Sequence, residues 1–257
     1  MPPAPFCLPR GNAGLGGRCF HRYGSEEAII VSTATSPRSA GHEQAQARGD
    51  LLILSAEATL PTRFGGFRVR AVREEGKDKE HLIVLRGKVK GKQDVPVRIH
   101  SECLTGDVMG SLRCDCRDQL EKSLRLIDDA GRGVLIYLRQ EGRGIGLLNK
   151  IRAYSLQEKG YDTVQANQRL GFEDDLREYD CAVSILKDLG VGSVALITNN
   201  PEKIEAVAKG GIRVSRRIPL AVKSNRFNRA YLRTKQSKLG HLAVAPAPRR
   251  RIGKGEA

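Results

Sequence analysis

Three cysteines, Cys103, Cys114 and Cys116, fall inside one short run from Arg98 to Gln119, R-I-H-S-E-C-L-T-G-D-V-M-G-S-L-R-C-D-C-R-D-Q. Thiolates select zinc, copper(I) or iron–sulfur clusters, and a cluster normally takes four cysteines in a recognised run. The spacing C-x10-C-x-C closes one loop on a single ion with no adjacent fourth Cys or His. A zinc site with three protein ligands keeps a position open for water, as catalytic sites do, so the spacing points to a catalytic zinc. Two other readings stay open: a structural zinc closed by His100, and three small buried residues that hold no metal. Thiols this close in a chain without a recognisable secretory signal fit metal binding better than disulfides.

A formal net charge of +15 over 257 residues asks for an anionic partner, either nucleic acid or a phosphorylated small molecule. Basic residues are spread along the chain, aromatics are few and tryptophan is absent, so no basic face interleaved with stacking rings is visible and nucleic acid is not the expected partner. No apolar run approaches the roughly 20 residues of a membrane span, and a cytoplasmic protein is expected.

These side chains must be positioned by the elements around them. Residues 1–55, rich in Gly, Ala, Pro and Ser, read as a poorly ordered extension in which Cys7 and Cys19 are incidental. The folded region is expected to open near Leu60. Gly66 to Arg73 and His81 to Arg86 read as two antiparallel strands, and Val95 to His100 as a third that leads into the cysteine loop, with Pro96 marking an edge or a strand start. Asp118 and Glu121 form a capping-box pattern before a helix carrying Leu120, Leu124 and Ile127. A strand over Gly133 to Leu138 then runs into the glycine-rich turn R-Q-E-G-R-G-I-G-L and a helix carrying Leu148, Ile151 and Ser155. Such a loop at a helix N-terminus can cradle phosphate, although most are plain connections. Tyr179 to Leu189 reads as an amphipathic helix on which Cys181 only packs, Val194 to Thr198 as a strand, Asn200-Pro201 as the start of a further helix, and Ile212 to Leu220 as the last strand. The expected class is α/β: an antiparallel β segment, then alternating strands and helices, in one catalytic domain over residues 56–243, followed by a basic tail over 244–257.

The motifs R-I-H-S-E-C-L-T-G-D, S-L-R-C-D-C, R-Q-E-G-R-G-I-G-L-L-N-K-I-R-A-Y, G-Y-D-T-V, L-G-F and T-N-N-P-x-K, in this order, closely resemble GTP cyclohydrolase II over roughly residues 60–243. The resemblance implies one zinc per chain on Cys103, Cys114 and Cys116, and GTP as substrate with Mg²⁺ on its triphosphate. It implies contacts to GTP from Arg98, Ile99, His100, Ser101, Glu102, Gln119, Glu141, Gly142, Arg143, Thr163, Thr198 and Lys203. Asp175 would be the proton acceptor and Arg177 the proposed nucleophile, with Tyr154 in the pocket. The family releases formate and pyrophosphate in the first committed step of riboflavin synthesis, and a homodimer is implied. The alternative is a paralogue that keeps the zinc fold but is inactive or opens the ring without releasing formate.

Two departures from the family pattern stand out. Arg117 replaces the glycine after C-D-C, and F-E-D-D-L-R-E-Y offers both Asp174 and Asp175, of which Asp175 sits two residues before Arg177 as the pattern requires. Some relatives carry a fused dihydroxybutanone phosphate synthase domain, for which this chain leaves no room. The chemistry suits the residues: zinc lowers the pKa of water from 15.7 to about 7, and a nearby carboxylate, Asp175 or Glu102, can carry protons. Arginines grip phosphate bidentately and lysine acts as a point charge. A guanidinium has no free lone pair, so Arg177 is equally suited to stabilising negative charge on the α-phosphate.

Overall fold

The computed structural model describes residues 51–238 and 240–242, so Cys7, Cys19 and the basic tail lie outside the described residues. The strands are β1 (Leu52–Leu54), β2 (Ala58–Thr62), β3 (Gly65–Glu74), β4 (Glu80–Arg86), β5 (Val95–Ser101), β6 (Gly133–Leu138), β7 (Val194–Ile197) and β8 (Val214–Ile218). They form one sheet in the order β1-β3-β4-β6-β5-β7-β8, with β2 also paired to β3. The β1 to β4 portion is antiparallel, β4 pairs antiparallel with β6, and β6, β5, β7 and β8 run parallel. The α/β class with an antiparallel opening is therefore borne out.

The helices are α1 (Cys116–Asp129), α2 (Gly146–Glu158), α3 (Thr163–Arg169), α4 (Asp180–Asp188), α5 (Pro201–Lys209) and α6 (Arg229–Lys238). Helix α1 covers one face of the parallel half and α4 and α5 the other, as parallel strands require. One core joins Val95, Val97, Ile99, Val134, Ile136 and Leu196 of the sheet to Ala182, Ile185 and Leu186 of α4. The other joins Phe67, Val84, Leu135 and Ile197 to Ile127 of α1 and to Leu220, with Leu120 and Leu124 packed against it. Alternation along β5 decides where the chemistry goes. Val95, Val97 and Ile99 enter the first core, which leaves Arg98 and His100 on the opposite face, above the strand ends where the loops gather.

Several elements differ from the sequence expectation. The sheet opens with β1 at Leu52, ahead of Leu60, because a three-residue apolar strand can pair with β3 (Leu52 opposite Glu74) without showing a period of its own. Pro96 does not mark an edge: β5 lies between β6 and β7, and the proline is tolerated as the second residue of the strand. The first helix begins at Cys116 with Asp115 as its N-cap residue, so Asp118 stands in its first turn and no capping box forms there. On α2, Leu148 is 68% exposed and Ile151 is also exposed, while Lys150 and Ala153 are buried. Helices α3 and α6 were not anticipated. The hairpin β3–β4, α4, β7 and α5, with Asn200 accepting from Glu202 N at 2.9 Å, form as expected.

Candidate active site

The carboxyl ends of β5, β6 and β7 open onto one cavity of about 350 Å³, the place where parallel sheets bind ligands. The loop after β5 carries Cys103, a π-helical turn over Leu104–Val108, and then Cys114 and Cys116. Ligand atoms of these three cysteines all lie within 4.8 Å of one another, with Cys103 Sγ 3.7 Å from Cys114 Sγ. The turn closes over them at Gly106. A Cβ at that position would meet Cys114 Sγ at 2.6 Å and Cys103 Sγ at 3.0 Å, so only glycine lets the backbone lie against the sulfurs. Three thiols this close do not ionise independently. Hydrogen bonds from Cys114 and Cys116, followed by the Lys150 ammonium, hold Cys103 far below the usual thiol range, while Cys114 is pushed up to about 11, chiefly by its bond with Cys103. A thiolate flanked by two thiols, under a backbone turn with no Cβ, is a donor set that fits a soft cation.

His100 does not join this set. Its Nε2 faces Asp107 at 3.0 Å and its ring stacks on Tyr137. Asp107 also accepts from Cys103 N at 3.0 Å and from Tyr137 Oη at 2.9 Å, so it fixes the cysteine loop onto the strand ends. Lys150 was missed from the sequence, where Leu148, Ile151, Tyr154 and Ser155 were the residues singled out on this helix. Its Nζ lies 3.1 Å from Cys103 Sγ and 2.7 Å from Glu141 Oε1, while Glu141 Oε2 accepts from Leu104 N at 2.6 Å. The glycine-rich loop is thereby pinned to the cysteine loop.

That loop holds Gly142 and Arg143 at φ of 62° and 61°, the left-handed region in which a non-glycine residue is strained. Gly144, at φ 93°, approaches Leu176 so closely that a Cβ would lie 2.9 Å from it, and Leu176 N donates to Arg143 O at 3.0 Å. The loop thus packs against the segment carrying Asp175 and Arg177. Both terminal nitrogens of Arg143 are buried beside the cavity and have no hydrogen-bond partner among the described residues. A buried, unpaired guanidinium is costly unless an anion meets it.

More cations converge there. Arg98 donates to Ile197 O at 3.0 Å and to Gln119 Oε1 at 2.7 Å, and burial lowers its pKa only to about 10, so it stays charged at neutral pH. Lys203 donates to Ile99 O at 2.8 Å, and burial, then Arg98, Arg177 and Lys235, push its pKa well below the usual lysine range. Arg177 is clasped by Asp175 through Nε at 2.8 Å and through Nη2. Burial opposes the ionised form of each partner, yet their mutual hydrogen bonds prevail: Asp175 is held below the usual carboxylate range and Arg177 above the usual guanidinium range. Asp174 instead accepts from Gln168 at 3.1 Å.

Of the residues expected from sequence, Arg98, His100, Ser101, Glu102, Gln119, Glu141, Gly142, Arg143, Tyr154, Thr163, Arg177, Thr198 and Lys203 line this cavity with the cysteines. Ile99 keeps its side chain in the core and offers only its carbonyl, to Lys203, and Asp175 stands behind Arg177. Tyr154 Oη lies 3.2 Å from Thr105 Oγ1. Arg117 fits the first turn of α1 by turning outward to Glu121 at 3.2 Å. Thr163 is placed by α3, whose start could have been read from the sequence: Asp162 and Gln165 form a reciprocal capping box. Asp115, Phe227, Tyr231, Lys235 and His241 also reach the cavity or its cysteine loop and were missed.

The family profile described as GTP cyclohydrolase II matches residues 54–219. The chain belongs to that family. A relative from Picrophilus torridus, "GTP cyclohydrolase-2", is 53% identical over 187 residues, which cover 73% of this chain and 97% of that protein. "Riboflavin biosynthesis protein RibBA" of Bacillus subtilis is 54% identical over 193 residues, 75% of this chain and 48% of that protein. The Synechocystis protein of the same name is 52% identical over 187 residues, 72% of this chain and 34% of that one. The chain thus spans nearly all of the first relative and half or less of the two RibBA proteins.

Proposed function

We propose that this GTP cyclohydrolase II family member hydrolyses GTP to formate, pyrophosphate and 2,5-diamino-6-(5-phosphoribosylamino)pyrimidin-4(3H)-one, the first committed step of riboflavin synthesis, with one zinc on Cys103, Cys114 and Cys116. The observation that carries the proposal is the meeting, in one cavity, of three converging thiols with Arg98, Arg143, Lys203 and Arg177, the last held by Asp175 behind it. When bound, zinc supplies Lewis acidity and an activated water at neutral pH.

The protein's own groups do the rest. Lys150 and the Gly106 turn hold the thiols in place. Arg143, with two unpaired nitrogens, and Arg98 meet the triphosphate, which enters with Mg²⁺ as part of the substrate. Burial and the cationic neighbours Arg98, Arg177 and Lys235 push the Lys203 ammonium well below the usual lysine range, and arriving phosphate oxygens favour its charged form. Asp175, kept ionised by Arg177, is the proton acceptor. The same pairing keeps Arg177 a guanidinium, which suits a clamp on the α-phosphate better than a nucleophile.

Apolar side chains left exposed on the cysteine loop and on α2, among them Val108, Met109, Leu112, Leu148 and Ile151, suit burial against a second copy in a homodimer. No helix among the described residues is long and apolar enough to cross a membrane. A site of three reduced thiols suits a reducing compartment such as the cytoplasm.

The test is to incubate the protein with GTP and Mg²⁺ and follow formate, pyrophosphate and the ultraviolet spectrum together. Formate and pyrophosphate released in equal amounts, with the absorbance change of imidazole opening, is the expected result. A spectral change without formate would mean that hydrolysis stops at the opened ring, and no change would refute the proposed activity.

A further inference from the structure

The family match ends at residue 219, but the wall of the cavity does not: Phe227, Tyr231, Lys235 and His241 line it as well. The segment that carries them is tied to the site at several points. Asn199, in the loop after β7, exchanges hydrogen bonds with Leu220, accepting from its N–H at 3.0 Å and donating to its carbonyl at 2.8 Å. Lys122 of α1 donates to Ala221 O at 2.7 Å. Asn225 Oδ1 then accepts from Phe227 N at 2.7 Å and Asn228 N at 2.9 Å, while the wholly buried Asn228 accepts from Asn225 N at 2.8 Å. This reciprocal turn launches α6 back across the cavity. Past the helix, Leu242 N donates to Asn199 O at 2.9 Å, so both ends of the segment are fastened to the same residue.

The middle is fastened by charge. Lys235 Nζ donates to Asp115 Oδ1 at 2.8 Å, with both side chains nearly enclosed. Asp115 is the residue between Cys114 and Cys116, and its other oxygen takes Gln119 Nε2, whose Oε1 in turn holds Arg98. A continuous polar chain therefore runs from α6 through the cysteine loop to a cation of the substrate cavity. Burying an ammonium is expensive, and a helix that needed only to pack could do so with an apolar side chain. Phe227 is the opposite case, a large apolar ring beside the cavity that is left 51% exposed. A flat ring in that position can stack on a purine, since every base has a π-face.

We propose that residues 225–238 and 240–242 form a substrate-binding wall of the active site, in which Lys235 locks the wall to the cysteine loop through Asp115 and Phe227 offers its ring to the base of the nucleotide. The proposal rests on the assignment of GTP as substrate. Lys235 is a positioning residue in it, and Phe227 touches substrate.

The chain contains no tryptophan, so Phe227→Trp installs its one indole at the wall, which can be excited apart from the six tyrosines. Titrating that full-length variant with a non-hydrolysable GTP analogue and Mg²⁺ should quench or shift its emission saturably, with the dissociation constant given by equilibrium dialysis. Lys235→Met should raise KM for GTP by about tenfold with kcat within about threefold, zinc content retained and Lys235→Arg recovering most of the loss. Arg233→Ala, on the exposed side of α6, should match the wild type. Emission that stays unchanged where dialysis shows saturation, or a Lys235→Met variant that melts earlier at unaltered KM, would overturn the wall. A wild-type chain that neither binds nor hydrolyses GTP would instead overturn the substrate assignment, so the two failures are distinguishable.

Discussion

Among the described residues, two places bring three metal-capable side chains within 4.8 Å of one another: Cys103, Cys114 and Cys116 at the cavity, and Glu74, His81 and Cys181 in the core beside β3, β4 and α4. By proximity they are equals, and by chemistry they are not. In the second cluster His81 Nδ1 accepts from Arg139 N at 3.0 Å, which leaves the proton of the neutral ring on Nε2, the atom facing Glu74 at 3.9 Å. Neither ring nitrogen then has a lone pair to give. Glu74 already holds Lys77 at 2.8 Å, and burial, then Lys79, Lys77 and Arg139, lower the pKa of His81 to about 4, a setting that repels cations. The first cluster has a thiolate, a turn with no Cβ in its way and an open cavity beside it. Closeness of ligand types gathers candidates, and lone pairs, local charge and access choose between them.

The largest effect separating the two clusters is catalytic. Cys114→Ser should reduce formate release by about 10³-fold or more through loss of the ion, while Cys181→Ala leaves the rate within about twofold. Equal losses in the two variants would erase the distinction. Next comes Arg177, proposed to act on the substrate rather than on the ion. Arg177→Ala should cost about 10²- to 10³-fold in kcat with zinc retained, and Arg177→Lys should keep a substantial part of the rate with little pH dependence if the residue is a clamp. A lysine variant that is slow at neutral pH and recovers steeply at high pH would restore the nucleophile.

The core cluster should show itself in stability instead. The folded pKa of His81, about 4, lies below the ordinary value of 6.5, so its contribution is complete above pH 6.5 and is lost as pH falls towards 4. Urea unfolding should record a loss of up to about 3 kcal/mol over that window. His81→Asn, which keeps an acceptor for Arg139 N, should flatten the curve, whereas parallel curves would show that His81 is not the group responsible. A smaller effect returns to the first cluster: Gly106→Ala should weaken zinc about 10- to 100-fold in chelator competition, since the new Cβ lands on two sulfurs. Unchanged affinity would mean that the turn can move aside.

Much of this was legible in the sequence where a local pattern carried the physics. The alternation V-P-V-R-I-H in β5 sorts core from site, C-x10-C-x-C marks the cysteines that converge at the cavity, and Asn200-Pro201 starts α5. What was hidden depends on partners far away in the chain. Lys150 is buried on α2 because Cys103, 47 residues earlier, shares its ammonium with Glu141, and no periodicity reports that. Helix α6 has a weakly apolar sequence and gains its place from Lys235 reaching Asp115 across 120 residues. The strained Arg143 was noticed for its charge, but its two unpaired nitrogens are a property of packing alone.

The central claim is that the three cysteines, and not the core cluster, hold a zinc ion with one position left open. X-ray absorption at the zinc edge of the purified, untreated protein tests it directly. Three sulfur neighbours at about 2.3 Å and one lighter atom, with about one zinc per chain, are the expected result. A single sulfur accompanied by imidazole and carboxylate, four sulfurs, or no zinc at all would contradict it.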